Sequence, residues 1–153
     1  MIWHLQADGR QTAVDTGALS TAAPNADDYV VLAETISKEP LGPFTRNGDD
    51  EWSNIVAWVH HGLVEAEEAG ITQANAEEMA RGQNPTAQRL LGATGEFGSR
   101  LRLDSRWMLN AVKAVGNYGE AFERNLGGSA LKLQRGPNAL WSRGGLMYAI
   151  PFR

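Results

Sequence analysis

The sequence predicts a helix-rich α/β protein whose β-sheet is incomplete. Three short apolar runs with strand character, residues 12–14, 29–32 and 44–46, lie near the start of the chain, and helical spacing dominates after them. No tight hairpin turn joins the three runs, which favours parallel pairing, and a parallel sheet is normally covered on both faces. So small a sheet predicts that part of the structure is missing.

Composition limits the class of protein. With 153 residues, 42% hydrophobic and 21% charged, the chain is globular rather than disordered. The net charge of −4 gives no attraction to a phosphate backbone, so nucleic acid is not an expected partner. The absence of cysteine removes disulfides, zinc–thiolate sites and thiol nucleophiles.

Targeting signals are not evident in the sequence. Residues 1–6 are too short and too polar for the apolar part of a signal peptide. No run approaches the ~20 apolar residues of a membrane span. Without a signal peptide, the chain is expected to remain in the cytoplasm if it is expressed as written.

The first elements surround an aspartate. The strand at residues 12–14 is followed by Asp15, and residues 17–23 read as a short helix that Pro24 ends. Asp15 is placed to cap that helix, because a carboxylate accepts the unpaired amide protons of a helix start. Residues 29–32 then form a short apolar run typical of a buried strand.

Residues 37–48 are predicted to carry the chain from one body to another. Pro40 and Pro43 fix φ and favour extended geometry at the residues before them. Gly42 permits the bend between them, and residues 44–46 are predicted to form a strand.

The clearest helix begins at Asp49 or Asp50 and ends at Gly70, a candidate left-handed cap. Its apolar residues recur at helical spacing. They are Trp52, Ile55, Val56, Val59, Leu63 and Ala66.

Helices with frequent breaks are predicted downstream. Thr72 is a candidate cap for a helix that ends near Arg81, and Asn84 followed by Pro85 is a favoured helix start. A long helix from about residue 103 to 125 is weakened by its glycines at 116 and 119. The ending, residues 148–153, is expected to dock on the body.

Candidate catalytic and metal-binding residues have simpler explanations. Adjacent His60 and His61 point about 100° apart on a helix and cannot share one metal ion in the i, i+4 manner, so a solvated or partly packed pair is expected. Glu65, Glu67 and Glu68 read as a solvated helix face. No pattern combines a nucleophile with a base, so an enzyme is not expected, and no cofactor or metal site is assigned.

Several stretches together resemble a known family over almost the whole chain, from about residue 9 to 153. They are ETISKEPLGPFTRNGDDEW, AEEAGITQAN, RLLG, VGNYGEAFERNLG, NALWSRGG and YAIPFR. They are similar to the general L-amino-acid-binding periplasmic proteins of ABC transporters, which are solute-binding proteins of family 3. The order of VGNYGEAFERNLG, NALW and GG makes the resemblance specific.

The resemblance implies an incomplete periplasmic-binding-protein fold of type II, with only its C-terminal portion present. In this family two α/β lobes joined by crossing strands close on an amino acid like a hinge. Residues 1–36 are then the end of the second lobe, and residues 37–48 are the crossing segment with the return strand. Residues 49–153 are the C-terminal helical part of the first lobe with the family's extension.

One binding residue follows from the resemblance. The family's aspartate that pairs with the α-ammonium of the ligand corresponds to Asp15 in AVDTGALS. A plain helix cap with no ligand is the competing interpretation of Asp15. The arginine that holds the ligand's α-carboxylate has no counterpart in this sequence.

The predicted function is that of a truncated amino-acid-binding component of an ABC amino-acid importer, periplasmic by resemblance, with an L-amino acid and an ABC permease as implied partners. The alternative is a remnant that no longer binds a ligand and acts as a small self-associating structural or interaction domain. Apolar surface left without a partner predicts a homo-oligomer in either case.

Overall fold

A computed structural model describes residues 42–128 and 133–152 in full, together with the backbone of three strands near the start of the chain. The chain divides into two compact units. Unit 1 comprises Met1–Gly42 with Leu126–Leu133, and unit 2 comprises Pro43–Asn125 with Gln134–Arg153. The assignment of residue ranges to lobes remains a prediction.

Unit 1 contains a three-stranded sheet of β1 (Ile2–Leu5), β2 (Gln11–Val14) and β3 (Val30–Val31), in the order β2-β1-β3. β2 covers the predicted run 12–14 and begins one residue earlier, and β3 lies within the predicted run 29–32. β1 was not predicted. Both pairings are antiparallel, so the expectation of parallel pairing is wrong. For β1 and β2 the reason is their short connection, since parallel neighbours need a crossover of about a dozen residues or more.

The predicted return strand at residues 44–46 is also wrong, because the backbone there is irregular. The segment instead turns into the following helix. The Thr45 hydroxyl lies 2.7 Å from that of Ser53, and the Asp49 amide donates to the Arg46 carbonyl at 3.2 Å. The Arg46 carbonyl, which a strand would present to a neighbour, is thereby used within the turn.

Helix α1 spans Asp50–Glu68 and begins and ends as predicted. The Asp49 carboxylate accepts the Trp52 amide at 3.1 Å and caps the start. At the other end Gly70 has a φ of +67°, and the Ile71 amide donates to the Ala66 carbonyl at 2.8 Å. This is the six-to-one hydrogen bond of a Schellman cap, for which glycine is the favoured residue.

Five further helices and three tighter or wider turns follow in the described residues, and all lie in unit 2 except Leu126 and Gly127 at the end of the π-helical turn, which belong to unit 1. They are α2 (Ala76–Arg81), α3 (Pro85–Leu90), α4 (Phe97–Arg100), α5 (Trp107–Val115), α6 (Tyr118–Phe122), the π-helical turn Glu123–Gly127, and the 3₁₀ turns Gly136–Asn138 and Trp141–Arg143.

Two predicted boundaries need correction. Helix α2 begins at Ala76 rather than just after Thr72, because the Thr72 and Asn75 side chains bond each other's backbone amides and form a turn before it. The predicted long helix is divided into α5 and α6 at Gly116, whose φ is +74°. The start of α3 is confirmed, since Asn84 precedes Pro85 and its side-chain oxygen accepts hydrogen bonds from the amides of Thr86 and Ala87.

The core of unit 2 lies between the C-terminal half of α1 and the later helices. Its buried residues include Ala66, Ile71, Leu90, Leu91, Met108, Leu109, Val112 and Phe152. Phe152 packs its ring 5.2 Å from that of Trp58, so the predicted docking of the chain ending is confirmed. The predicted apolar face of α1 is buried toward its end only, and Trp52 remains 54% exposed.

Candidate functional site

Asp15, the predicted ligand-binding residue, lies outside the described residues, so its role remains a prediction. The charged clusters that the structure does describe lie in unit 2, and each is built around one glutamate. Their geometry decides whether these carboxylates are free to act on a ligand.

The first cluster, called here the Glu67 clasp, comprises Glu67, Arg135, Arg143, Tyr118 and Phe122. Arg135 donates through both terminal nitrogens to the Glu67 carboxylate, at 3.1 and 3.0 Å, and Arg143 Nη1 lies 3.7 Å from Glu67 Oε1. The Glu67 side chain is only 6% exposed. The prediction of a solvated face is therefore wrong for this residue.

Aromatic rings complete the clasp. The Arg135 guanidinium carbon lies 5.4 Å from the centre of the Tyr118 ring and 5.1 Å from that of Phe122, within cation–π range. Burial raises the pKa of Tyr118, opposed by the charge of Arg135 and assisted by that of Glu67. Gly119 lies beside the pair, and a Cβ there would lie 2.8 Å from Glu67 Cδ, so the paired side chains would have to shift.

The clasp has a structural role that follows from its connectivity. Its two main partners are 68 positions apart, and Arg135 also donates to the carbonyl of Asn138 at 2.8 Å. Both Glu67 oxygens accept hydrogen bonds from guanidinium nitrogens, so this carboxylate is engaged within unit 2. The clasp fixes the C-terminal segment of unit 2 to helix α1.

Glu65 and Glu68, which were predicted to form a solvated face together with Glu67, differ from it. Glu68 is exposed as predicted, and its carboxylate accepts the Ala149 amide at 3.3 Å. Glu65 is half-buried, and burial, with a smaller contribution from Glu68, raises its pKa. The sequence signal for Glu67 is its spacing, since it follows Leu63 of the apolar face by four residues.

The second cluster, called here the Glu77 cluster, is at the surface. The Glu77 carboxylate lies 2.7 Å from Lys113 Nζ, 3.0 Å from Arg106 Nη2 and 3.6 Å from Arg81 Nη2. The hydrogen bond from Lys113, followed by the charges around it, lowers the pKa of Glu77. A shallow cleft of about 260 Å³ lies beside it and is lined by Glu77, Ala80, Arg81, Leu91, Gly92, Ala93, Arg106 and Leu109.

His60 and His61 are half-buried, which confirms the prediction of a partly packed pair. The His60 ring meets the Tyr118 ring edge-on at 5.7 Å, and the His61 ring meets that of Trp58 at 6.0 Å. Burial, and then the charge of His60, lowers the pKa of His61. No group of three or more His, Asp or Glu residues in the described part of the chain is arranged to hold a metal ion.

The fold of this chain matches part of a solved periplasmic binding protein. Its fold matches that of the ABC transporter periplasmic binding protein from Brucella ovis solved with glutathione bound, with a TM-score of 0.80 and 53% sequence identity. The match covers 88% of this chain and 43% of that protein. No family model matches the sequence.

Curated relatives define the class further. The general L-amino acid-binding periplasmic protein AapJ of Rhizobium johnstonii is 51% identical over 89% of this chain. The glutamate/glutamine/aspartate/asparagine-binding protein BztA of Rhodobacter capsulatus is 55% identical over 85%. YhdW of Escherichia coli K12, a putative amino-acid ABC transporter-binding protein, is 49% identical over 89%.

The resemblance drawn from the sequence is thereby confirmed, because the homologues of this chain are amino-acid-binding periplasmic proteins. The chain spans only 39–41% of the length of these relatives, which fits the prediction that it represents a portion of them. The relatives are substrate-binding proteins of transporters rather than enzymes. Among the described helices, none is long and apolar enough to cross a membrane.

Proposed function

We propose that this chain is the C-terminal portion of an amino-acid-binding component of an ABC importer. The observation that carries the proposal is identity of 49–55% over 85–89% of the chain to proteins named for amino-acid binding. The ligand is an L-amino acid, held in a cleft that the remaining portion of the family's fold completes. By the same relationship the working compartment is the periplasm and the partner is an ABC permease.

Asp15 is the proposed contact for the α-ammonium of the ligand. It directly follows β2 in the sequence, as the ammonium-binding aspartate of the resembled family follows a strand of the second lobe. A carboxylate paired with an ammonium forms a charge-assisted hydrogen bond, which is about twice as strong as a neutral one. Because every L-amino acid carries this ammonium, the contact serves a broad ligand range.

A chimera tests this function. The part of AapJ that this chain matches is replaced by this chain, and L-amino acid binding is measured by calorimetry. Binding of several amino acids is expected, and Asp15→Asn should weaken all of them alike, by ~1.5–3 kcal/mol. Glutathione serves as a further probe, since its γ-glutamyl group has the same free ammonium and carboxylate.

The matched control in the chimera is Glu51→Gln, which also removes one carboxylate charge but from an exposed pair with Arg102. It should leave binding unchanged. A folded chimera that binds no amino acid would contradict the proposed function. Loss of binding for a single amino acid on Asp15→Asn would contradict the proposed role of that residue.

The second candidate function is a self-associating domain without a ligand. The observation that favours it is apolar surface at the start of unit 2, where Phe44 is fully exposed and Trp52 is more than half exposed. Light scattering of the purified chain tests it. A dimer that Trp52→Ser dissociates, with no amino-acid-dependent stabilisation, supports this candidate, and a monomer at micromolar concentration rejects it.

A further inference from the structure

The turn that precedes helix α1 contains an asparagine followed directly by a glycine. Asn47 and Gly48 are both exposed, and the Asp49 amide donates across them to the Arg46 carbonyl at 3.2 Å. An Asn-Gly pair favours a turn, which accounts for its place in the structure. Every other asparagine of the sequence is followed by a residue other than glycine. The pair is therefore chemically distinct within this chain.

An asparagine cyclises to a succinimide when the next backbone amide is free and can approach its side chain. Among the described residues, neither the Asn47 side chain nor the Gly48 amide has a hydrogen-bond partner. A Cβ built at Gly48 would meet nothing within 4 Å, so the space around it is open. Glycine also lacks the side chain that hinders this approach at other residues. The fold thus leaves both reacting groups accessible.

Other exposed asparagines are followed by amides that are engaged. Asn54 lies in α1, and the amide of the next residue, Ile55, is inside the helix, where amides donate along the axis. Asn138 is followed by Ala139, whose amide donates to the Gly136 carbonyl at 3.0 Å. An amide nitrogen held in this way is a poorer nucleophile. These two asparagines are matched controls for exposure.

We propose that Asn47 is a site of spontaneous deamidation in which Gly48 supplies the nucleophile. The Gly48 amide nitrogen loses its proton to water and attacks Cγ of Asn47. The new N–Cγ bond forms, the Cγ–Nδ2 bond breaks, and Nδ2 leaves as ammonia with a proton from water. Water then opens the succinimide at either carbonyl, which gives aspartate or isoaspartate. Water is the only co-reactant that this sequence of steps requires.

The two products differ in what they do to the turn. Aspartate keeps the main chain and adds one negative charge, whereas isoaspartate also adds a methylene to the main chain between residues 47 and 48. The hydrogen bond from Asp49 to Arg46 spans this linkage, and the Asp49 carboxylate caps α1 through the Trp52 amide. Isoaspartate therefore changes the geometry that positions the helix cap, at the end of the predicted crossing segment 37–48.

The test is to age the purified chain at neutral and mildly alkaline pH. Trypsin then releases residues 47–81 as one peptide, because no lysine or arginine lies between Arg46 and Arg81. Fragmentation mass spectrometry should place the exchange of an amide for a carboxyl at Asn47 and not at Asn54, which lies in the same peptide. An isoaspartyl methyltransferase should label the aged chain. The rate should rise with pH, because the nucleophile is the deprotonated amide nitrogen.

Two variants separate the chemistry from its effect on the fold. Asn47→Gln, whose longer side chain closes a larger and less favoured ring, should abolish both the conversion and the methyl label. Asn47→Asp has the charge of the product on a normal main chain, and it should unfold at nearly the same temperature as the fresh chain. The aged chain should unfold at a lower midpoint in proportion to its isoaspartate content, by about 2 °C or more at full conversion.

Three results would overturn the inference. Equal conversion at Asn54 or Asn138 would show that exposure alone decides the rate. Conversion of the folded chain far more slowly than a synthetic peptide of residues 44–51 would show that the turn protects the site. An aged chain that unfolds like Asn47→Asp would show that the turn accommodates the added methylene, and the effect on α1 would be wrong. None of these measurements depends on amino-acid binding.

Discussion

The Glu67 clasp and the Glu77 cluster present one carboxylate each to several cations, but in different surroundings. The Glu67 side chain is 6% exposed and its partner Arg135 is 23% exposed, whereas Glu77 is 36% exposed and its partners are more so. Glu77 has more cations around it than Glu67. Burial nevertheless makes Glu67 the more consequential residue, because removing one partner of a buried pair leaves an uncompensated charge away from water.

The comparison also separates long-range from local effects on the fold. The Glu67 clasp joins residues 67 and 135 across most of unit 2. The Glu77 cluster joins surface side chains of α2 and α5, whose helices already share the apolar core. The clasp therefore joins segments distant in sequence, together with the packing of Leu140 and Ala149 on Val64, whereas the Glu77 cluster joins neighbouring surface side chains.

The largest expected effect on the stability of the fold is that of Glu67→Gln. The substitution keeps the volume but removes the charge, so Arg135 loses its buried counter-ion. We expect a loss of about 3 kcal/mol in the free energy of unfolding, at the low end for a broken buried pair because Arg135 retains some exposure. Urea denaturation measures it.

The control for this change is Glu51→Gln, which breaks the exposed pair with Arg102. It should cost less than about 1 kcal/mol, as exposed ion pairs do. Equal losses for the two variants would show that burial does not distinguish these glutamates.

Gly119→Ala tests the clasp without changing any charge. In an ordinary helix this change stabilises by about 0.5–1 kcal/mol. Here the new Cβ would lie 2.8 Å from Glu67 Cδ and 3.0 Å from Arg135 Nη1, so the ion pair must move. We expect a net loss of about 1–2 kcal/mol. Combining it with Glu67→Gln should give less than the sum of the two losses.

Gly42→Ala is the matched control, because a Cβ at Gly42 meets nothing within 4 Å and its φ is not left-handed. A neutral effect or a gain of up to about 1 kcal/mol is expected there. If Gly119→Ala stabilised the protein as well, the geometry of the clasp would be wrong.

Local sequence signals were sufficient to predict where some of the helices begin and end. Asp49 and Gly70 could be recognised as the ends of α1, and Asn84 with Pro85 as the start of α3, because capping depends on neighbours within a turn. The start of α2 was misplaced because two capping residues, Thr72 and Asn75, bond each other.

Features that depend on distant residues could not be predicted. Arg135 has no local sign that it pairs with Glu67, and Glu67 was predicted to lie on a solvated face although its spacing from Leu63 is helical. The pairing direction of the strands depends on β1, which sequence patterns did not reveal. The predicted ligand contact, Asp15, came from family resemblance alone and awaits the chimera experiment.

The Glu77 cluster should respond to salt more than the clasp does. Its charges are solvent-exposed, and the screening length falls from about 30 Å at 0.01 M salt to about 3 Å at 1 M. Glu77→Gln should lower the urea midpoint slightly at low salt and not at high salt. The effect of Glu67→Gln should persist at both concentrations. A salt-independent effect at Glu77 would contradict its assignment as a screened surface cluster.

The smallest effect is the pH dependence of the Glu77 cluster, and its sign follows from the lowered pKa. A carboxylate with a lowered pKa in the folded state stabilises the protein above its ordinary pKa of 4.5, and this contribution is lost as the pH falls through the lowered value. The stability difference between the natural chain and Glu77→Gln should therefore shrink on acidification from that point.

Glu65 should show the opposite pH dependence of stability, because its pKa is raised by burial. Its contribution is present below the ordinary value and is lost as the pH rises through the raised one, so Glu65→Gln should become relatively more stable than the natural chain as the pH rises. Urea denaturation of the natural chain, Glu77→Gln and Glu65→Gln at a series of acidic pH values measures how each stability difference changes with pH. Changes of the same sign for the two variants would contradict the contrast between an exposed, cation-bound glutamate and a half-buried one.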